Sequence, residues 1–121
     1  VFDQAFTALV TDLEQRGMLD STLVVVATEF GRKPDFSGDG RSHHPVCFST
    51  VLAGGGTKAG FVYGKSDDAG YYPEDDAVSV GAFHASIAYA AGMDIEKPAT
   101  SPSGRPMAVG DGEEPILELF T

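Results

Sequence analysis

The chain has 121 residues and a mass of 12.7 kDa, which is enough for one domain with its own core. Its 18 acidic and 8 basic residues give a net charge of −10, which disfavours nucleic acid and anionic membranes as partners because both are polyanions. The single cysteine, Cys47, excludes an intrachain disulfide, and no apolar run approaches the roughly 20 residues of a membrane-spanning helix. These features leave the cellular location open.

The first half of the chain predicts one helix followed by two buried strands. Between Phe2 and Met18 apolar residues recur at three- and four-residue spacing, which is typical of a helix with one buried face. The continuous β-branched run Leu23–Ala27 suits a strand covered on both faces in a parallel sheet. A second apolar run, Val46–Ala53, predicts another central strand, and Gly54–Gly56 ends it.

The second half predicts a surface hairpin, a helix and a short terminal helix. Phe61–Tyr63 and Tyr71–Tyr72 are short extended pieces joined by polar turn residues. Helical periodicity returns from Val80 to Ala91, with Ser79 as the N-cap and Gly92 at the C-terminal end. Pro115 then opens a short helix over Ile116–Phe120. Helices alternating with buried strands predict an α/β fold with a mostly parallel sheet flanked by helices.

The long loop from Thr28 to Pro45 is the candidate functional segment. In an open parallel sheet, ligands bind at the carboxyl ends of the strands, and Glu29 lies there, directly after the first strand. The same loop carries Asp35, Asp39, His43 and His44. Carboxylate and imidazole groups in one loop predict a site for a divalent metal such as zinc or manganese. Alternatively, Glu29 is a solvated loop group or helix cap, and the two histidines are simply exposed.

Other residues near this loop also have two readings. His84, near the start of the second helix, either points toward the same edge of the sheet as a metal ligand or packs in the core. Arg32 and Arg41 either bind the oxygens of a phosphate or sulfate bidentately or form structural ion pairs. Cys47 lies in a predicted strand, which favours a small buried hydrophobe over a nucleophile.

Four segments together resemble the C-terminal region of the proteins grouped as domain of unknown function 1501. These segments are Leu23–Arg32, Gly40–Pro45, Val51–Gly56 and Phe83–Ile87. That family is similar to sulfatases, alkaline phosphatases and cofactor-independent phosphoglycerate mutases, which have a two-metal hydrolytic site. The resemblance implies an exported, periplasmic protein, and a chain that is the C-terminal part of a larger sulfatase-like domain.

Two positions depart from the pattern that the resemblance implies. In the superfamily a strand ends in a Thr-Ser-Asp-His-Gly type motif whose Asp and His bind metal. Here Thr28-Glu29-Phe30-Gly31 occupies this stretch, so that Glu29 stands for the Asp while Phe30 cannot ligate a metal. Ser42 stands where the family usually has aspartate. His43, or else His44, is the loop imidazole that replaces the missing ligand.

Three hypotheses on function follow. The first is metal-assisted hydrolysis of a phosphate or sulfate ester by a parent protein whose N-terminal half supplies the nucleophile. The second is a non-catalytic binding or interaction module that retains the fold, because fold alone does not determine function. The third is that the chain acts alone and covers an exposed sheet edge by self-association.

Overall fold

The computed structural model describes residues 1–121, with two α-helices, eight short strands and three 3₁₀ turns. The helices are α1, Phe2–Gln15, and α2, Val80–Ala90. The strands are β1 Val24–Val26, β2 Gly31–Arg32, β3 His43–His44, β4 Val51–Ala53, β5 Lys65–Ser66, β6 Pro73–Asp75, β7 Ala99–Thr100 and β8 Pro106–Met107. The 3₁₀ turns are Leu19–Ser21, Val109–Gly112 and Leu117–Leu119. Neither helix has the length and apolarity that a membrane span requires.

The strands form four separate antiparallel pairs: β1 with β4, β2 with β3, β5 with β6, and β7 with β8. The predicted parallel sheet flanked by helices is therefore wrong. Parallel neighbours need a crossover of a dozen or more residues, usually a helix. Between β1 and β4 the chain instead folds into the β2–β3 hairpin, which reverses its direction, so β4 returns antiparallel to β1.

Residues 24–53 form one long, interrupted hairpin. Val26 pairs with Val51, and nearer the tip Arg32 pairs with His43. Between these two pairs the returning half of the hairpin contains two more residues than the outgoing half. At the tip the backbone N–H of Ser37 donates to the carbonyl oxygen of Gly40 at 2.7 Å. Gly38 lies in the left-handed region there, with φ of 61°, which only glycine adopts at little cost. The segment predicted as one loop thus contains a short hairpin, in which Gly31–Arg32 pairs with His43–His44 and Ser37 pairs with Gly40.

The two central strands are shorter and less buried than the sequence predicts. The runs Leu23–Ala27 and Val46–Ala53 contribute only β1 and β4 to strand pairing. Val25 is 36% exposed and Val51 is 47% exposed, so the prediction of strands covered on both faces is wrong. Cys47 is half-buried in a bend rather than in a strand.

Both predicted α-helices are confirmed, but α1 buries only Leu13 and leaves Phe2 and Leu9 exposed, so the prediction of a buried apolar face on α1 is wrong. The Ser79 hydroxyl accepts a hydrogen bond from the Ala82 N–H at 3.0 Å, as an N-cap does, and Gly92 follows α2 with φ of 72°. The predicted terminal helix is instead the single 3₁₀ turn Leu117–Leu119. The predicted surface hairpin exists, but its paired strands are β5 and β6 rather than the aromatic pieces.

The best-packed region joins α2 to the C-terminal segment through Ser86. This residue is fully buried, and its hydroxyl donates to the Ala82 carbonyl at 2.7 Å and accepts from the Ile116 N–H at 2.9 Å. A Cβ atom at Gly81 would lie 2.6 Å from the Gly110 carbonyl oxygen and 2.6 Å from Glu113 Oε1. The absence of a side chain at Gly81 therefore permits the 3₁₀ turn Val109–Gly112 to lie directly against α2.

Most of the remaining surface is open. Only six of the 121 residues are buried, and the accessible surface is 8745 Å². A compact monomer of 12.7 kDa is expected to expose about 6,200 Å². Exposed apolar residues such as Phe2 on α1 and Val62 account for part of the difference. The stability of this chain therefore depends on few buried contacts, above all those around Ser86.

We expect Gly81→Ala to lower the free energy of unfolding. Alanine favours a helix over glycine by about 1 kcal/mol, but overpacking against a fixed backbone oxygen typically costs about 1–3 kcal/mol. Urea denaturation followed by circular dichroism measures the difference. Gly40→Ala is the matched control, since nothing lies within 4 Å of a Cβ there. A Gly81→Ala variant at least as stable as the parent would contradict this close approach.

Candidate functional site

The candidate site is the outer part of the long hairpin, where β2 and β3 pair. Side chains alternate between the two faces of a strand, and directly opposed residues share a face. Arg32 and His43 are opposed, so they share one face together with Phe30, two residues before Arg32. Gly31 and His44 belong to the other face. The pairing alone separates the adjacent histidines, and only one of them lies on the open face.

His43 lies on the exposed face and stacks on an aromatic ring. Its ring centroid is 3.8 Å from that of Phe30, with an angle of 21° between the planes. The His43 side chain is exposed, and its imidazole takes part in no hydrogen bond and no ion pair within the chain. His43 is therefore held by an apolar contact while its ring nitrogens remain free for a ligand.

His44 is buried on the opposite face and is used inside the structure. It is 4% exposed, and its Nε2 donates to the Tyr71 carbonyl oxygen at 2.8 Å, which places the ring proton on Nε2. Its ring also meets the Tyr71 ring edge-on, with 5.8 Å between centroids. Asp67 holds this turn, since its Oδ1 accepts from the Tyr71 N–H at 2.7 Å. His44 thus fastens the β5–β6 turn to β3.

Gly31 permits the hairpin to pack on the chain that follows it. A Cβ atom there would lie 2.5 Å from Cβ of Phe48 and 3.1 Å from the Cys47 carbonyl oxygen. No side chain fits at Gly31 without displacing the segment that leads into β4. The hairpin face at Gly31 is therefore closed, whereas Arg32 and His43 lie on the opposite face.

Glu29 lies in a short turn between β1 and β2. The Thr28 hydroxyl donates to the Phe30 carbonyl oxygen at 2.8 Å and closes the turn around Glu29. The Glu29 side chain is exposed, and its carboxylate takes part in neither of the two ion pairs of the chain. Glu29 and His43 are thus alike in one respect: each has an unbonded side chain and precedes a residue that is restrained by a hydrogen bond, Phe30 and His44 respectively.

The two arginines have different surroundings. Nη1 of Arg41 donates to the carbonyl oxygens of Lys33, at 3.0 Å, and Pro34, and its guanidinium lies 4.4 Å from the Phe36 ring centroid. Arg32 makes one such bond, from Nη1 to the Arg41 carbonyl oxygen at 3.1 Å. Neither forms an ion pair. Arg41 therefore clamps the hairpin, while Arg32 retains more free donors for an anion.

The remaining predicted ligands do not assemble into a complete metal site. No group of three or more His, Cys, Asp and Glu side chains lies close enough to hold a metal ion. His84 is exposed on α2, so the core reading of this residue is wrong, and its ring contact is with the adjacent Phe83. By chemistry Glu29 and His43 suit a divalent metal, but they provide part of a ligand set only. The metal site stays a prediction.

Sequence reasoning missed the contact between Phe30 and His43. It treated Phe30 only as the loss of a ligand, because 12 residues of chain separate the two positions and their pairing depends on the hairpin register. The available signal was the turn sequence Ser37-Gly38-Asp39-Gly40, since glycine as the first of two central turn residues, here Gly38 before Asp39, is typical of hairpins.

Comparison with known proteins gives one result. The family model described as "Protein of unknown function (DUF1501)" matches residues 1–120. No curated protein and no solved structure matches the chain. The comparisons therefore leave the chemistry of the hairpin to be argued from its own residues.

We expect Arg41→Ala to loosen the outer hairpin without unfolding the protein. The loss of exposed, charge-assisted hydrogen bonds and of the contact with Phe36 should cost about 1 kcal/mol locally, or roughly fivefold faster amide exchange. Hydrogen exchange at the Lys33 and Ser37 amides, both bonded across the hairpin, measures this. Arg105→Ala, far along the sequence in another hairpin, is the control. Unchanged protection in Arg41→Ala would contradict the clamp.

Proposed function

The chain belongs to the DUF1501 family, and we propose that it supplies Glu29 and His43 to a divalent-metal site in a hydrolase of phosphate or sulfate esters. The remaining ligands and the nucleophile come from protein outside residues 1–121. The relation to sulfatases and alkaline phosphatases is part of this proposal, because the comparisons reach only the family itself. The motifs around Glu29 and His43 are what suggest that relation.

The observation that carries the proposal is the state of the His43 imidazole. A histidine ligand presents to the metal one ring nitrogen that no protein group occupies, and neighbouring groups usually restrain its ring. The His43 imidazole is exposed, makes no hydrogen bond and stacks on Phe30 at 3.8 Å between ring centroids. His44 is only 4% exposed, and its Nε2 donates to the Tyr71 carbonyl oxygen, which leaves Nδ1 alone for a ligand. His43 is thus the more accessible of the two loop histidines.

Glu29 and Arg32 are the other two residues of this chain in the proposed site. The carboxylate of Glu29 would supply an oxygen ligand of the type that zinc and manganese accept. Arg32 lies directly across from His43 in the hairpin, and only Nη1 of its guanidinium donates a hydrogen bond within the chain. Its remaining N–H groups are therefore available to bind an ester oxyanion. A bound divalent ion would polarise the ester oxygen and lower the pKa of the nucleophile. The residues of this chain hold the ion and orient the anion.

Metal binding tests this proposal directly. We expect the intact protein to bind stoichiometric zinc or manganese, measured by elemental analysis and calorimetry, and His43→Ala to lower the affinity at least tenfold because one ligand is lost. Glu74→Gln is the control, since Glu74 is an exposed carboxylate paired with Lys65 in another hairpin, and it should retain the affinity. Full metal occupancy in His43→Ala would reject the proposed site.

A second candidate is a non-catalytic binding module, and two observations favour it. Phe30 occupies a ligand position of the wider pattern, and no three metal-binding side chains cluster in the chain. On this reading the exposed hairpin face contacts a partner, either protein beyond residues 1–121 or a second copy of the chain. The large open surface of 8745 Å² is compatible with such covering.

Turnover separates the two candidates. For the hydrolase we expect the intact protein to cleave an aryl phosphate or aryl sulfate, and Glu29→Gln to lower kcat/KM by at least tenfold because the carboxylate charge is lost. Glu74→Gln is the matched control, since Glu74 is an exposed carboxylate paired with Lys65 in another hairpin. The binding module predicts no turnover with either substrate and the same behaviour in both variants.

A further inference from the structure

We infer that Phe30 is a positioning residue for His43: its ring holds the imidazole in the orientation that a metal ligand needs. This inference rests on the proposed function and deepens it by giving a role to the residue at which the ligand pattern is broken. The observation behind it is the stacked pair itself, with 3.8 Å between ring centroids and 21° between planes. A stacked neighbour restricts rotation about the bond that would otherwise turn an exposed imidazole freely.

The position of the Phe30 ring is itself determined from two sides. The Thr28 hydroxyl bonds the Phe30 carbonyl oxygen at 2.8 Å and so restrains its backbone. The Arg32 guanidinium lies 5.5 Å from the ring centroid, within the range of a cation–π contact. Arg32 is in turn bonded to the Arg41 carbonyl oxygen at 3.1 Å. The ring on which His43 rests is therefore restrained, although the hairpin face is exposed.

The alternative explanation of the stack is simple apolar packing that stabilises the hairpin. Such packing would be a property of the fold only, and any large apolar residue would supply it. The positioning role makes a narrower demand, namely a flat ring parallel to the imidazole. Tyrosine meets this demand, whereas leucine supplies apolar bulk without a flat face. The two roles are therefore separable by substitution.

The test uses the intact protein and the variants Phe30→Leu and Phe30→Tyr, with Phe36→Leu as the matched control. Phe36 is an exposed aromatic residue of the same hairpin that lies under Arg41. The first readout is the NMR shift of the His43 ring protons without metal, which senses the ring current of a stacked neighbour. The second is the affinity for Zn²⁺ by calorimetry. Urea denaturation checks that all variants remain folded.

We expect Phe30→Leu to lose the ring-current shift and to bind Zn²⁺ about 3- to 10-fold more weakly, since stacking contributes little more than this. Phe30→Tyr should restore both readouts, and Phe36→Leu should change neither. Zn²⁺ affinity in Phe30→Leu equal to that of the parent, while His43→Ala still lowers the affinity at least tenfold, would overturn the positioning role alone. If the parent protein binds no Zn²⁺, the proposed function fails and the inference fails with it.

Discussion

The antiparallel pairing of β2 with β3 is the constraint on which the candidate site depends. Because the chain reverses at the tip between Ser37 and Gly40, Arg32 lies opposite His43 and Gly31 lies opposite His44. This register sets which side chains share a face, since alternation along a strand sends neighbours to opposite sides. A shift of one residue would exchange the two histidines, placing His44 beside Phe30 and His43 against Tyr71.

The two faces of the hairpin have different tasks as a result. On the closed face Gly31 admits Phe48 at close range, and His44 is bonded to the Tyr71 carbonyl oxygen, so this face joins the hairpin to the rest of the chain. On the open face Phe30 and His43 stack, and Arg32 is nearby. Polar groups that the fold needs are buried and bonded, whereas those available to a ligand are exposed and free.

A second centre of packing lies away from this site, between α2 and the C-terminal segment. Ser86 links the helix to Ile116, and Gly81 admits the turn that contains Gly110. Outside the hairpin and the α2 region the chain buries little, since only six of its 121 residues are buried. With so few buried contacts, each one carries a large share of the small free energy by which any domain is stable. The remaining open surface is available for contact with further protein.

Local patterns in the sequence were sufficient to predict the two helices, the N-cap at Ser79 and the family. Helix signals are local, because periodicity and caps act within a few residues of one another. The same reasoning named Glu29, Arg32 and His43 as candidate site residues in the segment 28–45, and this assignment stays a prediction. Sequence reasoning predicted the wrong direction for the pairing of Leu23–Ala27 with Val46–Ala53, because a continuous apolar run indicates burial on both faces and does not itself set the direction of its neighbour.

Tertiary structure decided that direction, through the hairpin that occupies the intervening chain in place of a crossover helix. It also decided which histidine is free, because only the pairing register assigns His43 and His44 to opposite faces. The stack of Phe30 on His43 follows from that same register. Contacts between residues so far apart in sequence depend on loop closure and packing, which no local pattern encodes.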